Sequence, residues 1–143
     1  MEAEHKARST VVDGIVLRKF IISSSGHEGE ILLIKRAKEP ELGEWAIPGG
    51  FVQWDETATD AVVREVEEET GMKVRPTRIV GVFSDPQRDP TRQTIAVAFL
   101  CEPVGGELRG GDDAAEAKWF NVMRLPRLAF DHEKIVKAAF GQL

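Results

Sequence analysis

Two kinds of hydrophobic pattern run along the chain, one suited to strands and one to helices. TVVDGIVLRKFII (Thr10–Ile22) and EILLIKRA (Glu30–Ala37) are dense in β-branched residues and predict two strands. The polar stretch between them, SSSGHEG, predicts a hairpin turn. KEPELGEW reads as a loop, and WAIPGGFV as a short strand broken by Pro48, Gly49 and Gly50. KVRPTRIVGVFSD and TIAVAFLCEPV predict two more strands, joined by the polar loop DPQRDPTRQ. GGELRGGDDAAEA, with four glycines, reads as a flexible loop, and KWFNV as a short strand.

Two segments change period. Asp55–Thr70 predicts a helix, with Asp55 as its N-cap and Gly71 at the left-handed C-terminal position. DHEKIVKAAF (Asp131–Phe140) predicts a terminal helix capped by Asp131, with Ile135, Val136, Ala139 and Phe140 at helical spacing. Mixed strands with two helices predict one α/β sandwich spanning residues 1–143.

Composition narrows the class. A chain of 143 residues is the size of one ordinary domain and can bury a core without disulfides. Hydrophobic residues at 42% and charged residues at 30% suit a soluble globular protein. The formal net charge of −5 argues against a nucleic-acid partner, which wants a basic face. The lone cysteine, Cys101, sits in the apolar run IAVAFLC and is expected in the core. One cysteine permits no internal disulfide and suits a cytoplasmic setting. No apolar run approaches the ~20 residues that span a bilayer.

The chemistry concentrates in REVEEETGM, residues 64–72. On a helical wheel at ~100° per residue, with Glu65 at zero, Glu68 falls near ~−60° and Glu69 near ~+40°. These three carboxylates share one face. Val62, Val63 and Val66 form the adjacent apolar stripe, and Glu67 points away. Like charges at helical spacing repel, and the helix C-terminus disfavours anions. A hard divalent cation resolves both conflicts; an unliganded, solvated acidic face is the alternative.

The surrounding residues decide between them. GGFVQWDETATDAVVREVEEETGM holds Gly50, Glu56, Arg64, Glu65, Val66, Glu68, Glu69, Gly71 and Met72 at the spacing of the Nudix box, which it resembles without a miss. The resemblance implies a mixed-sheet α/β/α sandwich and hydrolysis of a nucleoside diphosphate linked to another moiety. It implies Glu65, Glu68 and Glu69 as Mg²⁺ ligands, with Mn²⁺ a possible substitute, joined by the Gly49 carbonyl. Arg64 would hold a glutamate in place, and Glu56 would be an outer ligand or the ion-pair partner of Arg64. The general base varies within the family between a box glutamate such as Glu68 or Glu69 and an acid on a distant loop. The loop candidates here are Asp112, Asp113 and Glu116, of which Glu116, just before KWF, is favoured.

The substrate is written outside the box. VFSDPQRDPTRQTIAVAFL and LAFDHEKIV resemble ADP-ribose pyrophosphatases, whose marker proline falls where Pro86 stands. Arg88 and Arg92 are candidate contacts to phosphate or ribose through their planar donor forks. Phe20, Phe51 and Phe83 are candidates to stack on a base, although a core position is expected for each. His132 is expected to serve its own helix start. The chain has no tyrosine, and so lacks the marker of the diadenosine-polyphosphate subgroup; it also lacks the NADH-specific motif. The expected reaction is ADP-ribose to AMP and ribose 5-phosphate. The alternatives are a nucleoside triphosphate pyrophosphatase and a non-catalytic ADP-ribose sensor. Relatives of this subgroup are often homodimers, and the apolar N-terminal hairpin is a candidate interface.

Overall fold

The computed structural model describes residues 6–111 and 114–143. Its elements are β1 (Thr10–Ser23), β2 (Gly26–Arg36), β3 (Trp45–Ala46), β4 (Gly49–Phe51), α1 (Ala58–Thr70), β5 (Met72–Phe83), β6 (Ile95–Gly106), β7 (Ala114–Asn121) and α2 (His132–Gly141).

β1 is long enough to serve two neighbourhoods. Its first half, Thr10–Val16, runs parallel to β6, and Val11–Asp13 pair antiparallel with β4 on the other edge. Its second half pairs antiparallel with β2, from Leu17 opposite Ile31 to Ser23 opposite Gly26. β2 continues to β3 and β7, and β6 to β5. The result is a mixed sheet of order β3-β2-β1-β6-β5.

Strand periodicity builds two cores from the same strands. Ile15 and Leu17 of β1, with Ile31 and Leu33 of β2, pack with Ile135, Val136 and Ala139 of α2. The alternate residues Val12, Val16 and Leu32 pack with Ala61, Val62 and Val66 of α1. Successive side chains leave a strand on opposite faces, so each helix covers one face and the α/β/α sandwich follows. Cys101 lies buried in the α1 core, and burial pushes its thiol up to about 12. Gly14 stands between Val12 and Val16, where a Cβ would come within 2.8 Å of Val66 Cγ2. The missing side chain lets α1 lie close to β1.

The structure corrects several boundaries. The hairpin turn is tighter than SSSGHEG suggests, because β1 runs to Ser23 and β2 begins at Gly26. The segment read as a loop over residues 105–117 is shorter: β6 extends to Gly106 and β7 begins at Ala114, paired to β2. Small and charged residues there gave no apolar signal, yet cross-strand pairing supplies the order. Asp55 is not the cap of α1. Thr57 is, its hydroxyl accepting from the Asp60 amide, while Asp55 lies before it at φ 65°. Among the described residues no helix is long and apolar enough to cross a membrane.

Candidate active site

α1 carries the carboxylates, and its ends are fixed locally. Thr57 caps the first turn, and Gly71 closes the last at φ 78°, its amide donating to the Glu67 carbonyl across 2.8 Å. A left-handed residue there favours glycine. Arg64 then organises the acidic face. Its guanidinium donates to Glu56 (2.7 and 2.9 Å), Glu65 (2.7 Å), Glu68 (3.1 Å) and the Phe51 carbonyl (3.0 Å). The two hydrogen bonds to Glu56 show it as the ion-pair partner of Arg64. Those bonds, with one from the Gln53 amide, hold the Glu56 carboxyl down to about 2. Glu67 takes no part in the Arg64 set.

β4 brings backbone to the same face. The Gly49 amide donates to Glu69 Oε1 across 2.7 Å, and Glu69 is 3% exposed. A Cβ on Gly50 would stand 2.5 Å from the Glu65 carboxyl, and one on Gly49 would overlap the Val12 carbonyl. Neither position has room for a side chain. Gly49, Gly50, Glu65 and Glu69 line one cleft of about 470 Å³.

The donor set fits a hard divalent cation in kind, since carboxylates and a peptide carbonyl offer oxygen alone. The side chains are not gathered around a point: among the described residues no three of His, Cys, Asp and Glu stand together at chelating spacing. Arg64 meanwhile engages oxygens of Glu65 and Glu68.

A second polar group lines the cleft, and the sequence reading missed most of it. Asp13 of β1 is 5% exposed and His132 of α2 also 5%. His132 accepts a hydrogen bond at Nδ1 from the Ile47 amide across 3.0 Å, and its Nε2 lies 3.7 Å from Asp13 Oδ1. The pair is not an ion pair. Burial pushes His132 down to about 3, with Asp131 opposing and Arg88 and Arg36 assisting. Burial raises Asp13 to about 7, with Arg88 opposing and Asp131 assisting. The expected local role of His132 is therefore corrected: its partner is 85 residues away. Asp131 makes no side-chain cap either, because Arg88 takes its carboxylate in a fork (3.0 and 2.8 Å). The signal for Asp13 was legible: a lone acid inside the apolar run VVDGIV sits at a core-facing position.

The other candidates divide. Arg88 lines the cleft, but its donors go to Asp131 and to Thr94 Oγ1 (2.7 Å). Arg92 lines the cleft exposed, its Cζ 5.5 Å from the Phe51 ring centroid. Phe51 is thus a wall of the cleft and 42% exposed, not core, whereas Phe20 and Phe83 pack against the α2 core. Pro86 lies exposed in the turn closed by the Arg88 amide on the Asp85 carbonyl, outside the cleft lining. Glu116 is a strand residue, not a loop acid: it stands exposed in β7 opposite Lys35, also outside the lining. Asp112 and Asp113 fall outside the described residues. Unforeseen was Phe130, which lines the cleft beneath Arg36, the guanidinium 4.9 Å from its ring.

Known proteins resemble this chain in sequence and in fold. The chain is 46% identical over 129 residues to an ADP-ribose pyrophosphatase of Methanocaldococcus jannaschii, covering 90% of this chain and 71% of that one. A crystal structure of a MutT/nudix family protein from Enterococcus faecalis superposes with a TM-score of 0.81 at 31% identity, over 99% of this chain and 64% of that one. A bifunctional NMN adenylyltransferase/ADP ribose pyrophosphatase from Francisella tularensis gives a TM-score of 0.77 at 28% identity, over 98% of this chain and 42% of that one. The chain thus spans less than two thirds of either structural relative. Residues 19–139 match the NUDIX domain model, a span that contains the whole box, cleft-lining glycines and carboxylates included, and the chain belongs to the NUDIX domain family.

Proposed function

We propose that this Nudix hydrolase cleaves the pyrophosphate bond of a nucleoside diphosphate derivative, ADP-ribose foremost, giving AMP and ribose 5-phosphate. The observation that carries the reading is the cleft itself: Glu65 and Glu69 line it together with Gly49 and Gly50. The 46% identity to an ADP-ribose pyrophosphatase supports the substrate.

In this reading Glu65, Glu68, Glu69 and the Gly49 carbonyl hold Mg²⁺, or Mn²⁺ in its place. The bound cation would neutralise the diphosphate and make a coordinated water more acidic. Arg64 positions Glu65 and Glu68, itself anchored by Glu56. A box glutamate takes the proton of the attacking water. Glu69, which lines the cleft, suits that role better than Glu68 or Glu116, which both stand outside the lining. Arg92 and Phe51 offer a cation and an aromatic face to the substrate. Arg88, its donors committed to Asp131 and Thr94, holds the cleft wall in this reading and leaves the substrate contact to Arg92. Pro86 shapes the turn that carries Arg88.

We place the protein in the cytoplasm, as its free, buried Cys101 suits. A homodimer through the hairpin remains part of the reading, supported by the exposed Ile21 and Ile22. Nucleic acid is not a partner in it, given the acidic balance. Product analysis tests the reaction. AMP with ribose 5-phosphate supports it, whereas pyrophosphate from nucleoside triphosphates, with ADP-ribose untouched, replaces it.

A further inference from the structure

Beside the cleft lies a second cavity, of about 360 Å³, and Arg88, Asp89 and Phe130 border both. Gly49, Glu65 and Glu69 border the cleft alone. A ligand whose diphosphate lies against those carboxylates therefore has a way past Asp89 into the second cavity. The walls there are tied together. The Phe130 amide donates to Glu41 Oε2 across 2.7 Å, and both residues are left-handed, at φ 52° and φ 61°. Residues other than glycine are uncommon in that region and recur where a ligand is clamped.

The chemistry of the second cavity differs from that of the cleft. Three carboxylates, Glu41, Asp89 and Asp131, border it against one cation, Arg88. Arg88 already donates from all three of its nitrogens, to Asp131 and Thr94. The cavity is thus rich in acceptors, and a further phosphate would meet like charge there. A metal ion fits no better, because among the described residues no three of His, Cys, Asp and Glu stand at chelating spacing. A neutral group with several hydroxyl donors suits it.

Asp89 is the acceptor placed to take them. The residue is 6% exposed. Its Oδ1 accepts from the Thr91 hydroxyl across 2.7 Å, which orients the carboxylate. Among the described residues Oδ2 takes no hydrogen bond, yet it is not sealed from solvent as Asp13 Oδ2 is. It therefore opens on the two cavities that Asp89 borders. A carboxylate with one oxygen free and a lone pair left on the other can accept from two neighbouring hydroxyls. Acidic side chains take ribose hydroxyls in this way in nucleotide sites.

We propose that Asp89 reads a sugar diol of the substrate at the junction of the two cavities, and that the second cavity holds the sugar that carries it. Phe130 offers its ring to the C–H side of that sugar. A ligand such as ADP-ribose has two sugars with this chemistry, the adenosine ribose and the terminal ribose. The identity of the ligand rests on the nucleoside diphosphate reading, whereas the test needs neither metal nor turnover.

The experiment is calorimetric binding to the full chain in EDTA. The ligands are ADP-ribose and two analogues, one without the 2-hydroxyl of the adenosine ribose and one without the 2-hydroxyl of the terminal ribose. The wild type should bind ADP-ribose about tenfold or more tighter than one of the two. Which analogue suffers identifies the sugar. Asp89→Ala and the isosteric Asp89→Asn should bring that ratio toward one, because they weaken the diol ligand and spare the deoxy analogue. A merely structural role for Asp89 would weaken all three ligands together and leave the ratio unchanged. Circular dichroism selects the variants that are folded. The proposal is overturned if the wild type does not bind ADP-ribose, binds all three ligands alike, or if either folded variant keeps the full preference. A protein that hydrolyses ADP-ribose yet shows unaltered selectivity in Asp89→Asn loses this inference alone. One that shows the selectivity but cleaves nothing loses only the hydrolase reading.

Discussion

The Gly49 amide donates a 2.7 Å hydrogen bond to Glu69 Oε1, joining β4 to the carboxylate face of α1. One oxygen of Glu69 is thereby oriented by backbone, on a side chain that is almost wholly buried. Glu69→Gln keeps the volume and removes the charge. Turnover should fall by roughly 10²-fold or more, the scale of losing a preorganised electrostatic group, while the melting temperature holds or rises in the absence of metal. Glu68→Gln should follow it. Glu67→Gln, outside the Arg64 set, should stay within about twofold of wild type. Steady-state rates and thermal melts on all three check this, and equal losses would contradict the assignment of the face.

Gly50 and Gly14 separate site from core. A methyl on Gly50 meets the Glu65 carboxyl at 2.5 Å, so Gly50→Ala should displace Glu65 and abolish most activity with a small change in stability. A methyl on Gly14 meets Val66 and Val62 instead, at 2.8 and 3.2 Å. Gly14→Ala should cost ~1–3 kcal/mol by overpacking, yet leave kcat near wild type in the folded fraction. Urea denaturation beside steady-state kinetics distinguishes the two.

Arg64 depends on Glu56 for its anchor. Glu56→Gln should lower kcat more than it raises KM, because it loosens a positioning residue. The pH dependence has a definite sign. Glu56 titrates at about 2 in the folded chain, below its ordinary value of 4.5. Its contribution to stability is therefore complete above pH 4.5 and lost as pH falls through about 2. Glu56→Gln should remove that part of the acid transition in melts from pH 5 to pH 2.

Asp13 and His132 oppose each other in the same pH range. His132 titrates at about 3 folded against 6.5 ordinarily, so the unfolded chain binds the extra proton and stability rises with pH between those values. Asp13 titrates at about 7 folded against 3.8 ordinarily, so the folded chain holds the proton and stability falls as pH rises between those values. From pH 4 to 6.5 the two slopes offset. Asp13→Asn should expose the rising slope and His132→Gln the falling one. Denaturation midpoints across pH 4–7 would contradict this if both variants kept the wild-type profile.

The box was legible in the sequence because its geometry is local: residues 50–72 place the glycines, Arg64 and the glutamates within one turn and one helix. The strand pattern was legible for the same reason, since Val12, Val16 and Leu32 alternate with Ile15, Leu17 and Ile31 as the two cores require. What escaped depends on pairing across the chain. β7 has little apolar signal before Lys118, and only its register with β2 makes Glu116 a strand residue. Asp131 reads as a cap because it precedes a helix, but Arg88, 43 residues earlier, claims its carboxylate. His132 looked local until Ile47 and Asp13 arrived from other elements. Pro86 and Phe51 carried no local cue to which would face the cleft.

Hydrolysis of a nucleoside diphosphate derivative in the carboxylate-lined cleft is tested most directly by product-resolved turnover of a substrate panel with Mg²⁺ or Mn²⁺. The panel comprises ADP-ribose, other nucleotide sugars, diadenosine polyphosphates, NADH and oxidised dGTP. ADP-ribose should give AMP and ribose 5-phosphate at the highest kcat/KM, with no product in EDTA. Pyrophosphate released from triphosphates beside a flat ADP-ribose signal would contradict the substrate, and no turnover of any diphosphate would contradict the enzyme.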